Sequence, residues 1–412
     1  MNGSNPAISS PSISPPSMLT LVLLTGLSAM SISIFLPSLP QMAEYFDVEY
    51  SVIQLSISGY IAMNAVVQFV IGPLSDRFGR RTMMLWACMI FVLATIGCLL
   101  TDNAYVFLFF RTLQAVVISA GVIARAVVRD IADERDAASM IGYIMMGMSM
   151  VPMIGPTLGG FLGEWFGWQA SFILLLISGI AISILTYVDM GETAPQTRSS
   201  LVQQIKSYPN ILINHAFWAY SLITMFANGT FFLFLTGGPI IGSVVFEMSP
   251  SVFGLYFAFT PLGYLIGNYL SGRFSKHYGM QKMIAVGIIF AAIGLVAILL
   301  LSYSGLTTPI IFFGLMFLVG LGNGLILPNA TVGMLSVKPE LIGSASGLGA
   351  AIMTGGGAIL STSASIVVYS DSGVTPMVWL MLLTFGLVAL LYWWSCTIQV
   401  EHSHRENTKP SR

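Results

Sequence analysis

Long apolar stretches, separated by short polar turns, run the length of this chain. No charged residue falls within 82–101, 137–163, 165–188, 248–272, 283–337 or 341–370, and 207–246 holds one ionisable group, His215. An apolar run of about 18 residues or more can cross the ~30 Å hydrocarbon layer as a helix. Lipid admits only backbones that satisfy their own hydrogen bonds, meaning helices or closed barrels. The runs lack the period-two alternation of barrel strands, so they predict helices. One such run could be the buried helix of a water-soluble core. Eight or more could not.

The polar turns set twelve predicted spans, at 18–40, 50–71, 82–101, 104–126, 138–162, 168–188, 210–234, 250–271, 282–300, 308–330, 341–366 and 375–397. The longest polar stretch, 189–209, divides six from six and contains a candidate amphipathic helix at Leu201–Tyr208. The predicted architecture is therefore an all-α polytopic membrane protein. Its twelve transmembrane helices form two six-helix bundles, 18–188 and 210–397, joined by a cytoplasmic linker at 189–209. Short tails are expected at 1–17 and 398–412; the first is uncharged, rich in Ser and Pro, and reads as disordered rather than as a cleavable leader.

Composition agrees, with 56% apolar and only 8% charged residues, so the position of each charge carries information. With the N-terminus in the cytoplasm, fifteen of the sixteen Lys and Arg fall in inner loops, helix ends or the final tail. The outer loops then hold only acids, among them Glu44, Asp47, Glu49, Asp102, Glu164 and Glu247. Basic residues accumulate on the cytoplasmic side of short-looped membrane proteins, so both termini are expected inside. No basic stripe exists outside the short loops, which argues against nucleic-acid binding. Cys88, Cys98 and Cys396 lie in apolar helices and read as packing residues rather than as a disulfide frame or metal ligands.

Three local patterns stand out. Residues 72–81 read Gly-Pro-Leu-Ser-Asp-Arg-Phe-Gly-Arg-Arg, with four charges in six positions. Gly72-Pro73 is placed to end the second helix. Asp76 can then accept from helix N-terminal amides or pair with an arginine, while Arg77, Arg80 and Arg81 can meet anionic headgroups. An echo at 268–279, centred on Arg273 and Phe274, follows 196 residues later; it keeps a basic cluster with Lys276 but has no carboxylate matching Asp76. Downstream of the fourth span, Arg129 and Asp130 belong to a candidate salt-bridge cluster.

The second pattern is the remaining basic residue, Arg111, inside the fourth span with Gln114 three residues on. An arginine in hydrocarbon costs roughly 2.5–3.5 kcal/mol on insertion scales. It either snorkels to the interface or faces a polar interior. The third is the fifth span, Gly147, Pro152 and then Gly155-Pro156-Thr157-Leu158-Gly159-Gly160. Small residues at that spacing permit close helix approach, and proline bends the rod.

Together these segments resemble the signatures of the major facilitator superfamily, and the whole chain looks like its drug:proton antiporter branch, of the Bcr/CflA efflux type. The resemblance implies a proton-coupled exporter of the bacterial inner membrane, working by alternating access without a cofactor. Gly72, Asp76, Arg77, Gly79 and Arg80 would form an inner latch, with Arg273 and Lys276 as a looser second one. Arg111 and Gln114 would take part in coupling, and the Gly-Pro-x-x-Gly-Gly run of the fifth span argues for export. Cavity candidates on the first, second, fourth, seventh and tenth spans are Phe35, Asn64, Gln68, Gln114, Tyr220, Asn228 and Asn323. Interhelical hydrogen bonding is the competing reading for the amides. Related sequences carry an acid where this chain has Ser33, and His215 is the remaining titratable candidate near a helix end.

A cavity facing a buried cation and no buried anion should take neutral, zwitterionic or anionic molecules, such as a phenicol-like drug, a polar metabolite or a carboxylate siderophore. The expected partners are that small molecule and membrane lipids, with the chain acting as a monomer. An importer of a polar metabolite is the alternative, and a membrane receptor or structural protein a further one.

Overall fold

Helix ends fall at the polar turns of the sequence. The computed structural model describes residues 16–131, 154–193, 211–337, 342–367 and 373–407, with positions 140, 144, 151 and 209. The first bundle comprises α1 (Met18–Ser33, continued by a 3-10 turn Leu36–Ser38 and a helix Leu39–Tyr45), α2 (Tyr50–Phe78) and α3 (Arg80–Leu100). It continues with α4 (Ala104–Gln114, a 3-10 turn, then Ser119–Ile131), α5 (described over 154–166) and α6 (Gln169–Asp189). The second comprises α7 (His215–Ile240), α8 (Pro250–Phe257 and Phe259–Tyr278), α9 (Met280–Tyr303), α10 (Pro309–Ser336), α11 (Ile342–Val367) and α12 (Thr375–Asn407). Among the described residues eleven helices are long and apolar enough to span a membrane; α5 makes the twelfth. The expected N-terminal tail at 1–15, the candidate amphipathic helix at 201–208, Gly147 and Pro152 lie outside the described residues.

Local chemistry starts and stops these helices. Asn103 caps α4 by accepting from the backbone N–H groups of Tyr105 and Val106, and Asn214 caps α7 in the same way through Ala216 and Phe217. Ser17 caps α1 through Thr20. Pro250 and Pro309 occupy first-turn positions, where a missing N–H costs nothing. The thiols of Cys88, Cys98 and Cys396 are free, the first two buried.

Three expectations need correction. Gly72-Pro73 does not end α2, which runs on to Phe78. Proline removes one hydrogen bond, and near a membrane face the freed carbonyl finds other donors. The stop is Gly79, whose φ of 97° is open to glycine and strained for other residues. The final helix also continues past 397, to Asn407, so the last tail is in part helical. The echo is in a different register: Gly279, with φ 82°, ends α8 as Gly79 ends α2, and the two are 200 residues apart rather than 196. In that register Gly72 matches Gly272, Asp76 matches Lys276, and Arg80 matches Met280. The shared Arg-Phe pair misled because it sits one helical turn off.

Within the first bundle α3 packs on α4 and α6, α2 on α4, and α1 on α4 and α6. Within the second, α10 packs on α7, α8 and α9, while α7 also packs on α11 and α12. The seam between bundles is α2 against α11 and α5 against α8. Large apolar side chains such as Leu93, Phe109, Ile177, Leu300 and Trp393 stay exposed on the outside of the bundles. Such a surface is suited to lipid. One end of the molecule carries Arg77, Arg80, Arg81, Arg273 and Lys276 (the basic end), the other Asp47, Asp102, Glu164 and Glu247 (the acidic end).

At the acidic end the seam closes by backbone contact. A Cβ on Gly160 would overlap the Pro250 carbonyl, and one on Gly254 would overlap the Pro156 carbonyl. The neighbouring Gly159 instead faces the Ile34 carbonyl within its own bundle. Gly160→Ala and Gly254→Ala should therefore each separate the bundles at the acidic end. The separation is measurable as a longer distance between spin labels replacing Tyr105 and Tyr303, both exposed there on opposite bundles. Gly159→Ala should lower stability without that lengthening. Unchanged label distances in both seam variants would show that these contacts do not hold the end shut.

Candidate functional site

The seam encloses a cavity of about 310 Å³ near mid-depth, lined from the first bundle by Ser28, Ala29, Ile32, Asn64, Gln68 and Ile118. From the second come Asn228, Phe231, Thr260, Pro261, Tyr264, Gly320, Asn323 and Leu327. The volume lies at the lower end of pockets that hold drug-sized ligands. No charged residue lines it among the described residues. Two lining spans are interrupted near this level, α4 by its 3-10 turn at Ala115–Ile118 and α8 at Ala258 just before Pro261, while α10 stays helical through Pro328. Broken helices leave backbone polar groups and side chains free to face an interior space.

Of the sequence candidates, Asn64, Gln68, Asn228 and Asn323 reach this cavity. Gln68 donates to Asn64 Oδ1 at 2.5 Å and reaches Thr354 of α11 at 3.5 Å. The other candidates lie elsewhere. Ser33 is buried against α5, where a Cβ on Gly155 would stand 2.5 Å from its Oγ. Tyr220 is buried inside the second bundle and accepts from Gln281 Nε2 at 2.8 Å. His215 is an exposed first residue of α7, stacked edge-on to Trp394 at 6.1 Å. Helix position explains each: these side chains point to neighbouring helices or to the interface, not to the seam.

Arg111 also does not line the cavity. It stands about two turns from Ile118 along α4, toward the acidic end, and its side chain is fully buried. One terminal nitrogen donates to Ser31 Oγ at 3.1 Å and Gln114 Oε1 at 2.7 Å, and the other to the Ser31 carbonyl at 2.6 Å. The guanidinium is sandwiched between the rings of Phe35 and Tyr60, 4.3 and 4.2 Å from their centroids. Gln114 passes the chain on to Thr95 Oγ1 of α3 at 2.8 Å. Among the described residues no carboxylate pairs with this charge. Its shell is made of neutral dipoles and aromatic faces, which favour a cation.

At the basic end the first-bundle latch is assembled. Arg80 pairs with Asp76 at 2.5 Å and with Asp130 at 3.1 Å, and donates to Ser75 Oγ at 2.6 Å. The helix N-terminal amide expected to meet Asp76 is met instead by Glu192: its Oε1 accepts from Arg80 N at 2.6 Å. A Cβ on Gly79 would overlap that carboxylate. Arg77 stands apart, exposed over the Phe78 ring. Gly72 has open space where a Cβ would be. In the second bundle Arg273 is exposed beside Tyr269 and Phe274, and Lys276 is exposed too. The Arg129 side chain lies outside the described residues.

Hydrogen bonds that cross the seam involve Gln68, Gln54, Thr157 and Glu164. Besides Gln68 to Thr354, Gln54 donates to the Thr236 carbonyl at 3.0 Å and Thr157 to the Gly254 carbonyl at 2.9 Å. Glu164 accepts from Ser251 N at 3.2 Å. These lie from mid-depth to the acidic end. Sequence reasoning did not single out Ser28, Thr260, Tyr264, Gln54 or Glu192. The 200-residue register would have found one of these, since Asn64 of α2, a sequence candidate, corresponds to Tyr264 of α8.

Two helical bundles around an uncharged seam cavity have the layout of a membrane transporter. Residues 21–362 match the Major Facilitator Superfamily, and the chain belongs to that family. It is 30% identical over 344 residues to a chloramphenicol resistance protein of Pseudomonas aeruginosa, covering 83% of this chain and 81% of that one. It is 25% identical to multidrug resistance protein D of Escherichia coli K12, covering 93% and 96%. Among solved structures, a D-xylose-proton symporter superposes with a TM-score of 0.71 at 15% identity, over 91% of this chain and 96% of that one. These relatives place the chain with the Bcr/CflA-type drug:proton antiporter group.

Arg111→Ala would leave the Ser31 carbonyl and Gln114 Oε1 without their donor in a dry site. At about 1.5–3 kcal/mol per hydrogen bond to a charged group, the loss should reach roughly 3 kcal/mol or more. A lower thermal midpoint of the detergent-purified protein is the expected readout. Arg111→Lys, lacking the planar fork and ring stacking, should recover only part of it. A midpoint equal to wild type in Arg111→Ala would remove the guanidinium from the bundle's stability.

Proposed function

We propose that this protein is a secondary exporter that carries a neutral, polar small molecule outward by alternating access, in exchange for protons. The uncharged wall of the seam cavity is the observation that carries this reading. A cation would meet no anion there, and an anion would meet no cation, because the Arg111 charge is enclosed by Ser31, Phe35, Tyr60 and Gln114. Electrostatic complementarity sets the sign of selectivity. That narrows the expectation from neutral, zwitterionic or anionic cargo to neutral cargo. The resistance relatives, including the chloramphenicol resistance protein, support export of a drug-like compound.

The basic end is assigned to the cytoplasm of a bacterial inner membrane and the acidic end to the outside, with the chain acting alone. In that orientation these seam hydrogen bonds hold the outer half closed. With no carboxylate on the cavity wall among the described residues, the coupling proton acts at the outer gate, where Glu164 holds the start of α8. Hydrogen bonds from Ser251 keep the Glu164 carboxyl below the usual carboxylate range, so this hold is present near neutral pH and weakens as pH falls.

Inside-out vesicles containing the protein test this. Chloramphenicol should accumulate when a pH gradient is imposed and should itself dissipate part of that gradient, whereas tetraphenylphosphonium should do neither. Preference for the cation would sink the neutral-cargo reading. Accumulation that survives a protonophore would sink proton coupling. Glu164→Gln should shift the pH dependence of exchange at its acidic limb, and an unshifted profile removes this gate from coupling.

A further inference from the structure

The two walls of the cavity are not equally satisfied. On the first-bundle wall, Gln68 and Asn64 are bonded to each other. On the second-bundle wall, Asn323 and Thr260 are 3% and 2% exposed, both line the cavity, and the oxygens Asn323 Oδ1 and Thr260 Oγ1 have no hydrogen-bond partner. Buried polar atoms are almost always partnered, and each orphan costs the full desolvation of the group. Two orphans on adjacent helices facing one space mark a place where something else supplies the partner.

The backbone holds these two residues in place. Gly320 of α10 lies against the Thr260 carbonyl, and Gly324 against the Tyr264 carbonyl, while Gly263 and Gly267 of α8 meet the backbone of α10 at Phe317 and Leu321. Reciprocal glycines four residues apart bring α8 and α10 into backbone contact. Pro261 follows Thr260 directly, so no N–H is available from that position to satisfy the threonine hydroxyl. An amide carbonyl oxygen accepts only, and a hydroxyl accepts as well as donates. The missing partner of Asn323 Oδ1 must therefore be a donor.

Resting on the neutral-cargo reading above, we propose that Thr260 and Asn323 form a donor-reading subsite on the second bundle. It recognises a hydroxyl of an uncharged substrate, which donates to Asn323 Oδ1 and accepts from Thr260 Oγ1; for a phenicol this is the terminal hydroxyl. The first-bundle amides, already paired, contribute shape and polarity rather than selection for that donor. The selectivity comes from cost: an analogue lacking the donor leaves both oxygens dry and unpaired.

Thiamphenicol and florfenicol are a matched pair of neutral phenicols in which a fluorine of the second replaces one hydroxyl of the first. Binding of each to the purified full-length protein should be measured by calorimetry. Wild type should bind thiamphenicol more tightly by on the order of tenfold to a hundredfold. In Asn323→Leu and in Thr260→Val, both close in shape to the original residues, the ratio should fall toward one through loss of thiamphenicol affinity, with florfenicol affinity held. Binding of both compounds with equal affinity in wild type, or a ratio that persists in both variants, overturns the subsite and leaves the neutral-cargo reading standing. Equal loss of both compounds in the variants also overturns it, as a structural effect. Binding of neither to wild type overturns the neutral-cargo reading and the subsite with it.

Discussion

A guanidinium in hydrocarbon has to carry its solvation with it, and the first bundle is arranged around meeting that demand for Arg111. Ser31 of α1 supplies a hydroxyl and a carbonyl, Gln114 of α4 an amide oxygen, and Phe35 and Tyr60 two aromatic faces. Gln114 then binds Thr95 of α3. One charge thereby ties α1, α2, α3 and α4 into one body. Because lipid offers no competing water, loosening any of these helices would expose the charge to apolar surroundings. The bundle behaves as a rigid unit for that reason, and rigid units are what a rocking transporter requires.

Rigidity within a bundle leaves motion to the seam, and there the chemistry changes. Contacts inside the first bundle use charge and aromatic faces. Contacts across the seam at the acidic end use backbone against backbone at Gly160 and Gly254, with Thr157, Gln54 and Glu164 adding single hydrogen bonds. Small residues pack closely with no interlocking side chains to disengage. An interface of that kind can separate and reform, whereas the Arg111 cluster cannot separate without leaving its charge unsolvated.

The fold was largely legible because hydropathy in a membrane is a one-dimensional signal. Span number follows from run length, which needs no tertiary information. The misreadings all arise where neighbours decide. Pro73 was taken as a stop, yet α2 passes through it to a glycine at φ 97°. Arg273-Phe274 was paired with Arg77-Phe78 on identity, but the two left-handed glycines set the register at 200. Arg111 was expected to face the cavity because charge in a membrane implies an interior. It does face an interior, that of its own bundle. Thr260 carried no signal in sequence, since a threonine in an apolar helix is ordinary; only its empty hydrogen-bond capacity beside Asn323 sets it apart.

The corrected register also changes how the two halves relate. Asp76, the acid that pairs Arg80 in the first bundle, corresponds to Lys276 in the second, and Arg80 itself to Met280. The second bundle thus lacks both members of the ion pair. Further along the same helices, Thr260 and Tyr264 occupy the positions that correspond to Tyr60 and Asn64. In the first bundle those positions are committed to structure: Tyr60 covers Arg111 and Asn64 holds Gln68. In the second they face the cavity, with Thr260 and Asn323 holding open hydrogen-bond capacity. The difference between the halves is thus local to the cavity wall, where Gln68 and Asn64 bond to each other while Thr260 and Asn323 keep open capacity.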